Sequence, residues 1–400
     1  MSDQHRIKMK SSQAPVGRFH FDPVLLSVSI SLLLIGYVMV ASASLHLGIK
    51  MTGDGLYYPI RQLMHIGMGL VFGGGVAAVP MRVWEQNGPR LFIAGLLLLI
   101  IVLIPGLGVK VNGSVRWLSL GGVRIQVSEV VKFFSVIYMA GYVTRYQESV
   151  QNSTFGLIKP LGLFSVASLL LLLEPDFGSA VVILMIAMGI IFLAGARLSQ
   201  FIVLLLIIGV LAILLVYFSP YRLVRVTSFM DPWADPLKTG FQLVQALISF
   251  GRGEWLGVGL GSGIQKLFYL PEAHTDFLFS VIAEELGLLG VVTVIGLFSL
   301  LVWRTFEIAE AAEQAGQRFS AFVAYGLGVW FGFQSFVNMG VNMGILPTKG
   351  LTLPLMSYGG GSMMIMCCAV ALLFRVQSET AEINASTVPA QRMGARGYHE

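Results

Sequence analysis

The sequence has 400 residues, of which 56% are hydrophobic and only 12% charged, and its mean hydropathy is +0.79. Soluble domains carry about 25% charged residues, so this composition excludes a water-soluble protein. The formal net charge of +5 is modest, and no nucleic-acid partner is expected. The composition predicts an all-α polytopic membrane protein.

Ten apolar runs are long enough to cross a bilayer. The predicted spans are 24–44, 60–80, 91–107, 126–145, 158–174, 178–195, 198–218, 277–303, 319–345 and 358–376. Residues 1–23 and 377–400 are expected to be polar tails, the second of them disordered. Residues 24–376 then form a membrane domain with one long outer loop, 219–275. The adjacent Cys367 and Cys368 are expected to pack or face lipid rather than pair with each other.

The distribution of Lys and Arg predicts the orientation. With the N-terminus in the cytoplasm, the five basic residues of the short outer loops are Lys50, Lys110, Arg116, Arg124 and Lys349. The tails and the inner loops hold fourteen: Arg6, Lys8, Lys10, Arg18, Arg82, Arg90, Arg145, Lys159, Arg197, Arg304, Arg318, Arg375, Arg392 and Arg396. Basic residues concentrate on the cytoplasmic side, so both termini are predicted to be cytoplasmic.

Asp276 lies where a polar stretch meets the eighth predicted span. An ionised carboxylate at this outer boundary can accept a proton from a substrate hydroxyl. It can equally cap the helix, and Thr275 is a second candidate for that cap. Catalyst and cap remain open alternatives at this point.

Glu284 and Glu285 lie inside the same apolar run, about 12 Å deeper than Asp276 along a helix. Neighbouring helical residues point about 100° apart, so the two carboxylates cannot both face lipid cheaply. At least one of them is therefore predicted to face a polar cavity or to pair with a cation.

Two further regions bring charge to the membrane. Glu129 and Lys132 are three residues apart in the fourth span and are predicted to pair within a buried polar network. Arg116 precedes this span beside Trp117, in a loop that is also typical of a membrane-interface belt. The turn after the fifth span carries Glu174 and Asp176 and is predicted to lie on the same outer side as Asp276.

The long outer loop combines basic and aromatic residues. Arg222 and Arg225 are suited to binding a lipid pyrophosphate. The segment Gly257-Val-Gly-Leu-Gly-Ser-Gly-Ile-Gln-Lys266 lacks the spacing of a nucleotide P-loop, and it is predicted to be flexible or a tightly packed re-entrant segment. The sequence shows no His or Cys cluster typical of a transition-metal site, and a hard cation on carboxylates stays open.

Several of these motifs together resemble the SEDS (shape, elongation, division, sporulation) family, and its cell-division branch more than its elongation branch. They are Arg116-Trp-Leu, Ser128-Glu129 with Lys132, Glu174-Pro-Asp-Phe-Gly, Pro271-Glu-Ala-His-Thr-Asp-Phe, Glu284-Glu-Leu-Gly, Pro347-Thr-Lys-Gly-Leu-Thr-Leu-Pro and Ser357-Tyr-Gly-Gly-Gly-Ser. They extend over nearly the whole membrane domain. Val127 departs from the family pattern, which usually has proline there.

The resemblance implies a peptidoglycan glycosyltransferase that polymerises lipid II during septal wall synthesis. Asp276 is then the general base on the acceptor sugar hydroxyl. The candidate contacts of the pyrophosphate are Arg116, Lys132, Arg222, Arg225 and Lys349. The expected polar network comprises Glu129, Glu174, Asp176, Glu284 and Glu285. A divalent cation, Mg²⁺ or Mn²⁺, stays open as a cofactor.

The resemblance also implies partners and a place in the cell. The expected partners are lipid II, the growing lipid-linked glycan chain, a class B penicillin-binding protein transpeptidase, other small divisome membrane proteins and membrane lipids. The expected location is the division septum of the bacterial cytoplasmic (inner) membrane. Two other functions fit the sequence: a lipid II flippase, and a scaffold that recruits the division transpeptidase.

Overall fold

The computed structural model describes residues 19–111, 114–120, 123–267, 269–348 and 350–394. Helices dominate this part of the chain. In chain order they are α1 (Pro23–Thr52), α2 (Tyr57–Ala78), α3 (Met81–Leu103), α4 (Val127–Arg145), α5 (Gln147–Asn152), α6 (Thr154–Leu173), α7 (Phe177–Leu193), α8 (Leu198–Tyr217), α9 (Pro220–Met230), α10 (Phe241–Gly253), α11 (Leu278–Gln314), α12 (Arg318–Asn342) and α13 (Gly360–Gly394).

Every predicted span corresponds to a helix. Eight of the described helices, α1, α3, α4, α6, α8, α11, α12 and α13, are long and apolar enough to cross a membrane. Of the two others at predicted spans, α2 is long enough but less apolar, and α7 is apolar but has only 17 residues. The multi-pass helical fold predicted from the sequence is therefore confirmed.

The bundle has a buried centre and one largely exposed helix. Most residues of α4, α12 and α13 are buried, and α13 packs closely along α2. The approach is close because Gly69 and Gly73 present no side chain to Cys367 of α13. Both cysteines are buried and unbonded. In contrast, α8 has no fully buried residue, and it contacts the core only through half-buried side chains such as Phe201, Leu204 and Ile208.

Two local structures differ from the sequence-based expectation. Residues before α4 form an antiparallel sheet in the order β1 (Gly108–Val111), β2 (Ser114–Leu120) and β3 (Val123–Gln126), where only a loop was expected. The disordered tail predicted from residue 377 is wrong for the described residues, because α13 continues to Gly394. Buried Ser378 and Thr380 hold it, since they bond to the His20 amide and the Gln317 side chain.

The long loop is partly helical and returns into the bundle. After α9, a short 3₁₀ turn (Pro232–Ala234) and α10, residues 254–266 pass beside the middle of α11. There α11 is broken at Gly287, whose φ of 63° and ψ of −160° are not helical. Glycine tolerates this conformation, because it has no Cβ.

The returning segment satisfies the peptide groups that the break exposes. The amides of Val258 and Gly259 donate to the carbonyls of Glu284 and Glu285 at 3.0 and 3.1 Å. In the other direction, the amide of Leu288 donates to the Glu254 carbonyl at 2.9 Å. Unpaired peptide groups are costly at membrane depth, so the segment is a structural complement of α11. The re-entrant interpretation of the glycine-rich stretch agrees with this packing.

Both deep carboxylates have a cation, as predicted for at least one of them. Lys266 Nζ lies 2.5 Å from Glu285 Oε1 and also donates to Ser42 of α1 at 2.7 Å. Arg252 lies 2.9 Å from Glu284. Glu284 and Glu285 are both 0% exposed. Acidic side chains are rarely buried so completely unless they are paired. These pairs connect α1, α10, α11 and the returning segment.

The predicted pair in α4 also forms. Lys132 Nζ is 2.6 Å from Glu129 Oε1 and donates to Gln334 Oε1 of α12 at 3.0 Å. The Gln334 amide then donates to the Thr352 carbonyl at 2.9 Å. Lys132 is 0% exposed, so its ammonium belongs to a buried network that joins α4 to the segment before α13.

Lys266→Ala is expected to destabilise the protein by about 3–5 kcal/mol, because it leaves the Glu285 carboxylate buried without its cation. The matched variant is Arg252→Ala, whose side chain is 36% exposed, so water partly replaces it and the loss is smaller. Thermal unfolding of both purified proteins in detergent measures the difference. Equal melting temperatures for the two variants would contradict the assignment.

Lys132→Met is expected to unfold at a lower temperature than wild type, since it isolates Glu129 in a low-dielectric site. The double variant Glu129→Gln/Lys132→Met removes both charges and should recover part of the loss. The same unfolding assay, run as a double-mutant cycle, measures the coupling. Additive effects of the two changes would show that the pair is not a coupled unit.

Candidate active site

Asp276 lies in the turn that leads into α11, and the backbone of this turn is tightly bonded. The amides of Thr275 and Phe277 both donate to the Glu272 carbonyl at 3.2 Å. Glu272 has a φ of 56°, a conformation that costs a non-glycine residue of the order of 1–3 kcal/mol. The Tyr358 amide donates to the His274 carbonyl at 2.9 Å. Asp276 is therefore presented by a rigid turn.

The structure decides against the capping alternatives for this turn. The N-cap of α11 is Phe277, and no side chain of that residue caps the helix. Among the described residues, none donates a hydrogen bond to the Asp276 carboxylate, and the Thr275 hydroxyl donates back to Glu272. The carboxylate is partly exposed, so it remains available to a ligand.

The electrostatic surroundings of Asp276 set its proton affinity. The pKa of Asp276 is raised to about 7, chiefly by burial and next by the Glu272 carboxylate. Arg116 and Arg225 act in the opposite direction, and Asp176 contributes a smaller increase. A carboxylate that titrates near neutral pH is well matched to proton transfer at that pH.

Arg116 and Arg225 are held close to this turn by backbone carbonyls. Arg116 donates to the carbonyls of Glu174 and Pro175 at 3.2 and 2.6 Å. Arg225, on α9, donates to the Thr348 carbonyl at 3.4 Å. Backbone carbonyls carry no net charge, so these contacts orient both arginines without adding a counter-charge of their own.

The two carboxylates of the turn beside Arg116, Glu174 and Asp176, have different surroundings. Asp176 accepts from the amide and hydroxyl of Ser179, at 3.1 and 2.9 Å, and so caps α7. Glu174 is 1% exposed, and neither of its carboxylate oxygens has a partner among the described residues. The pKa of Glu174 is raised to about 8, chiefly by burial and also by the neighbouring Asp176, whereas Arg116 lowers it. Glu174 is thus mostly protonated at neutral pH.

The remaining candidates do not all reach Asp276. Arg222 lies over the Phe177 ring at 5.4 Å and donates to the Leu215 carbonyl. Lys132 is fully buried and bonded to Glu129 and Gln334, so its assignment as a direct pyrophosphate contact does not fit this geometry. Lys349 lies outside the described residues.

Glu129, Glu284 and Glu285 belong to buried ion pairs below the turn. They share no bond with it. Three of the residues predicted for the site, Arg116, Arg225 and Asp176, are therefore the ones that act on Asp276 directly.

Sequence reasoning missed an aromatic cluster beside the turn. The ring of His274 lies 5.1 Å from Tyr58 and 5.4 Å from Tyr358, and the ring of His65 lies 5.8 Å from Tyr358. These rings join α2 to the segments before α11 and α13. Tyr58 and His65 stand in α2, and their pattern in the sequence gave no sign of this contact.

The described residues do not build a metal centre by themselves, since they contain no group of three or more His, Cys, Asp or Glu side chains arranged around one point. A large groove of about 980 Å³ lies between α1, α2 and α13. Its lining is mostly apolar, and it contains none of the candidate residues.

Comparison with known proteins agrees with this fold. The family model for cell cycle proteins of the FtsW, RodA and SpoVE type matches residues 23–382. A protein of Methylomonas methanica, named "Probable peptidoglycan glycosyltransferase FtsW", is 65% identical over 374 residues, which is 94% of this chain and 96% of the relative. A protein of Coxiella burnetii with the same name is 50% identical and covers 90% of this chain and 97% of the relative.

Solved structures give the same result. The rod shape determining protein RodA of Thermus thermophilus is 26% identical, with a TM-score of 0.66, and covers 90% of this chain and 97% of its own. A chain from work on "structural coordination of polymerization and crosslinking by a peptidoglycan synthase complex" is 30% identical, with a TM-score of 0.72, and covers 90% and 98%. This chain therefore belongs to the FtsW, RodA and SpoVE family of cell cycle proteins, the SEDS family that its motifs resemble.

Proposed function

We propose that this protein is a peptidoglycan glycosyltransferase that polymerises lipid II into glycan strands during septal wall synthesis. The observation that carries the proposal is the Asp276 carboxylate. It is unbonded among the described residues, is presented by a rigid turn and lies within the influence of two arginines. The names of the relatives from Methylomonas methanica and Coxiella burnetii support the same activity.

The proposed chemistry is one inverting displacement. Asp276 accepts the proton of the acceptor sugar hydroxyl while that oxygen attacks the anomeric carbon of the lipid-linked donor. The bond between this carbon and the phosphate oxygen breaks, and undecaprenyl pyrophosphate leaves with the bonding electrons. The proton stays on Asp276 until solvent removes it.

The leaving group accumulates negative charge, and fixed cations stabilise such charge well. Arg116 and Arg225 are the best-placed described cations, because both lower the pKa of Asp276 and both guanidinium groups are oriented by backbone carbonyls. Arg222 is the third candidate, from the same helix as Arg225. Charge stabilisation by these side chains does not need Lys132 to leave its buried pair.

The proposal extends to partners and location. A class B penicillin-binding protein transpeptidase is the proposed partner, in keeping with the peptidoglycan synthase complex that contains a similar chain. The long loop, 219–275, is its proposed contact, together with other small divisome membrane proteins. Both termini are proposed to be cytoplasmic, and the protein is proposed to act at the septum of the inner membrane.

Asp276→Asn is expected to lower lipid II polymerisation by at least about a hundredfold, because an amide cannot take the proton. Asparagine is nearly isosteric, so the protein should remain folded and monodisperse. The measurement is glycan-strand formation by purified protein in detergent, with labelled lipid II and with the proposed transpeptidase added to both samples. Glu310→Gln, the same carboxylate-to-amide change near the other end of α11, is the matched control.

The outcomes separate the three functions. A wild-type protein that forms no glycan strands in detergent, with its partner present, would favour the flippase, since detergent offers no second leaflet. Strand formation by Asp276→Asn at the wild-type rate would refute the base assignment. Normal cell division with Asp276→Asn would favour the scaffold.

The pH dependence gives a second test of the base. Because Asp276 must be ionised to accept a proton, the rate should rise with pH, with a midpoint near its pKa of about 7. Glu272→Gln removes a negative charge that raises this pKa, so the rising limb should move to lower pH. Glutamine keeps the acceptor for the Thr275 hydroxyl.

Rates of strand formation across the pH range, measured for wild type and Glu272→Gln, give the two midpoints. Glu310→Gln changes a carboxylate near the other end of α11 and should leave the midpoint in place. A Glu272→Gln midpoint equal to or above that of wild type would be inconsistent with Asp276 as the titrating group.

A further inference from the structure

Two asparagines of α12 hold the peptide group of Asp276. The side-chain amides of Asn338 and Asn342 both donate to the Asp276 carbonyl oxygen, each at 2.9 Å. Asn338 is 2% exposed and Asn342 is 0% exposed, so neither can contact a substrate from its present position. The two residues are four apart and lie on one face of α12.

Asn342 also completes the start of α11. Its Oδ1 accepts from the Ser280 amide at 3.0 Å and from the Ser280 hydroxyl at 2.7 Å. The first turn of a helix leaves amides without intrahelical partners, and the N-cap Phe277 offers no side-chain acceptor. Asn342 therefore caps α11 from a different helix and ties this cap to the Asp276 carbonyl.

Asn338 connects the same carbonyl to the other wall of the site. Its amide group also donates to the Leu351 carbonyl at 2.5 Å. The neighbouring Gly350 lies against the carboxylate of Asp276, since a Cβ at this position would come within 3.0 Å of Oδ2. One buried side chain thus fixes the peptide of Asp276 relative to the segment that its carboxylate faces.

We propose that Asn338 and Asn342 are positioning residues for Asp276, and that they fix the carboxylate in the orientation needed to take a proton from the acceptor hydroxyl. This inference rests on the proposed function, in which Asp276 is the base. The NH2 group of each asparagine donates to two backbone carbonyls of the protein, so neither group is left to donate to a substrate. A rotation of the freed peptide would turn the carboxylate away from the hydroxyl.

This role predicts a specific kinetic signature. Misplacement of a catalytic group by about 1 Å can cost up to a hundredfold in rate. Asn338→Ala and Asn342→Ala are each expected to lower kcat by about tenfold or more and to leave the KM for lipid II within about twofold. The KM is preserved because neither side chain contacts the substrate.

The pH profile should change as well. A loosened turn lets water reach the carboxylate, and hydration favours its ionised form. The charged and titratable groups around Asp276, namely Glu272, His274, Arg116, Arg225 and Asp176, all remain in these variants. The rising limb of Asn338→Ala should therefore move to lower pH, whereas a mere loss of folded protein lowers the rate at every pH without moving the midpoint.

The experiment is lipid II polymerisation across the pH range by the purified full-length variants, with the proposed transpeptidase present. Ser335→Ala is the matched control, because Ser335 is buried on the same helix and bonds only within it. Asn342→Ala loses a cap as well as a positioning bond, so Asn338→Ala decides the matter if Asn342→Ala does not fold.

The inference is overturned if Asn338→Ala has the wild-type kcat, or if its loss of rate follows its loss of folded protein with an unchanged midpoint. These results differ from a failure of the proposed function. If Asp276→Asn is active, the assignment of Asp276 as the base is wrong. If Asp276→Asn is inactive and Asn338→Ala is fully active, only the positioning role is wrong.

Discussion

The break in α11 at Gly287 is the constraint on which the surrounding structure depends. A membrane helix cannot leave peptide groups unpaired in lipid, and here the missing partners come from the returning segment 254–266. The same segment brings Lys266 to Glu285, while Arg252 at the end of α10 reaches Glu284. The amides of Gly261 and Ile264 in this segment also donate to the Glu285 and Glu284 side chains. The same segment therefore completes the broken helix and binds its two buried carboxylates. The long loop is anchored in the bundle and cannot leave it without exposing both charges.

The paired carboxylates of Glu284 and Glu285 differ in role from the carboxylate of Asp276. The first part of α11, Leu278–Leu286, is fixed at one end by Asn342 and at the other by the pairs of Glu284 and Glu285. A segment held at both ends presents the turn before it with little freedom, which suits a base that must meet a hydroxyl at hydrogen-bond distance. The deep charges therefore support the site without taking part in its chemistry. By contrast, α8 has no fully buried residue, and α9, which carries Arg222 and Arg225, follows directly after it.

The sequence was informative where a physical rule acts locally. Spans followed from apolar length, and the Glu129–Lys132 pair from helical spacing. The cations of Glu284 and Glu285 were predictable in kind but not in identity, because they come from a loop folded back by distant contacts. Lys132 was misjudged as a pyrophosphate contact, since its sequence position does not reveal that α12 covers it. One available signal was overlooked: Gln334, Asn338 and Asn342 recur every four residues in an apolar span and so mark one polar face. The helical end of α13 depends on tertiary bonds that composition does not show.

The arginines and the base act on each other in the proposed reaction. Arg116 and Arg225 lower the pKa of Asp276, against burial and Glu272, which raise it. A pyrophosphate bound between these guanidinium groups would compensate their positive charge and so weaken the attraction that keeps Asp276 ionised. The proton affinity of Asp276 then increases at the moment when the donor is in place, and a carboxylate of higher proton affinity is the stronger base. Without donor, the same arginines keep the pKa of Asp276 below the value that burial and Glu272 alone would set. In the proposed reaction, base strength would thus be coupled to donor binding through two charges, with no change in the position of the turn.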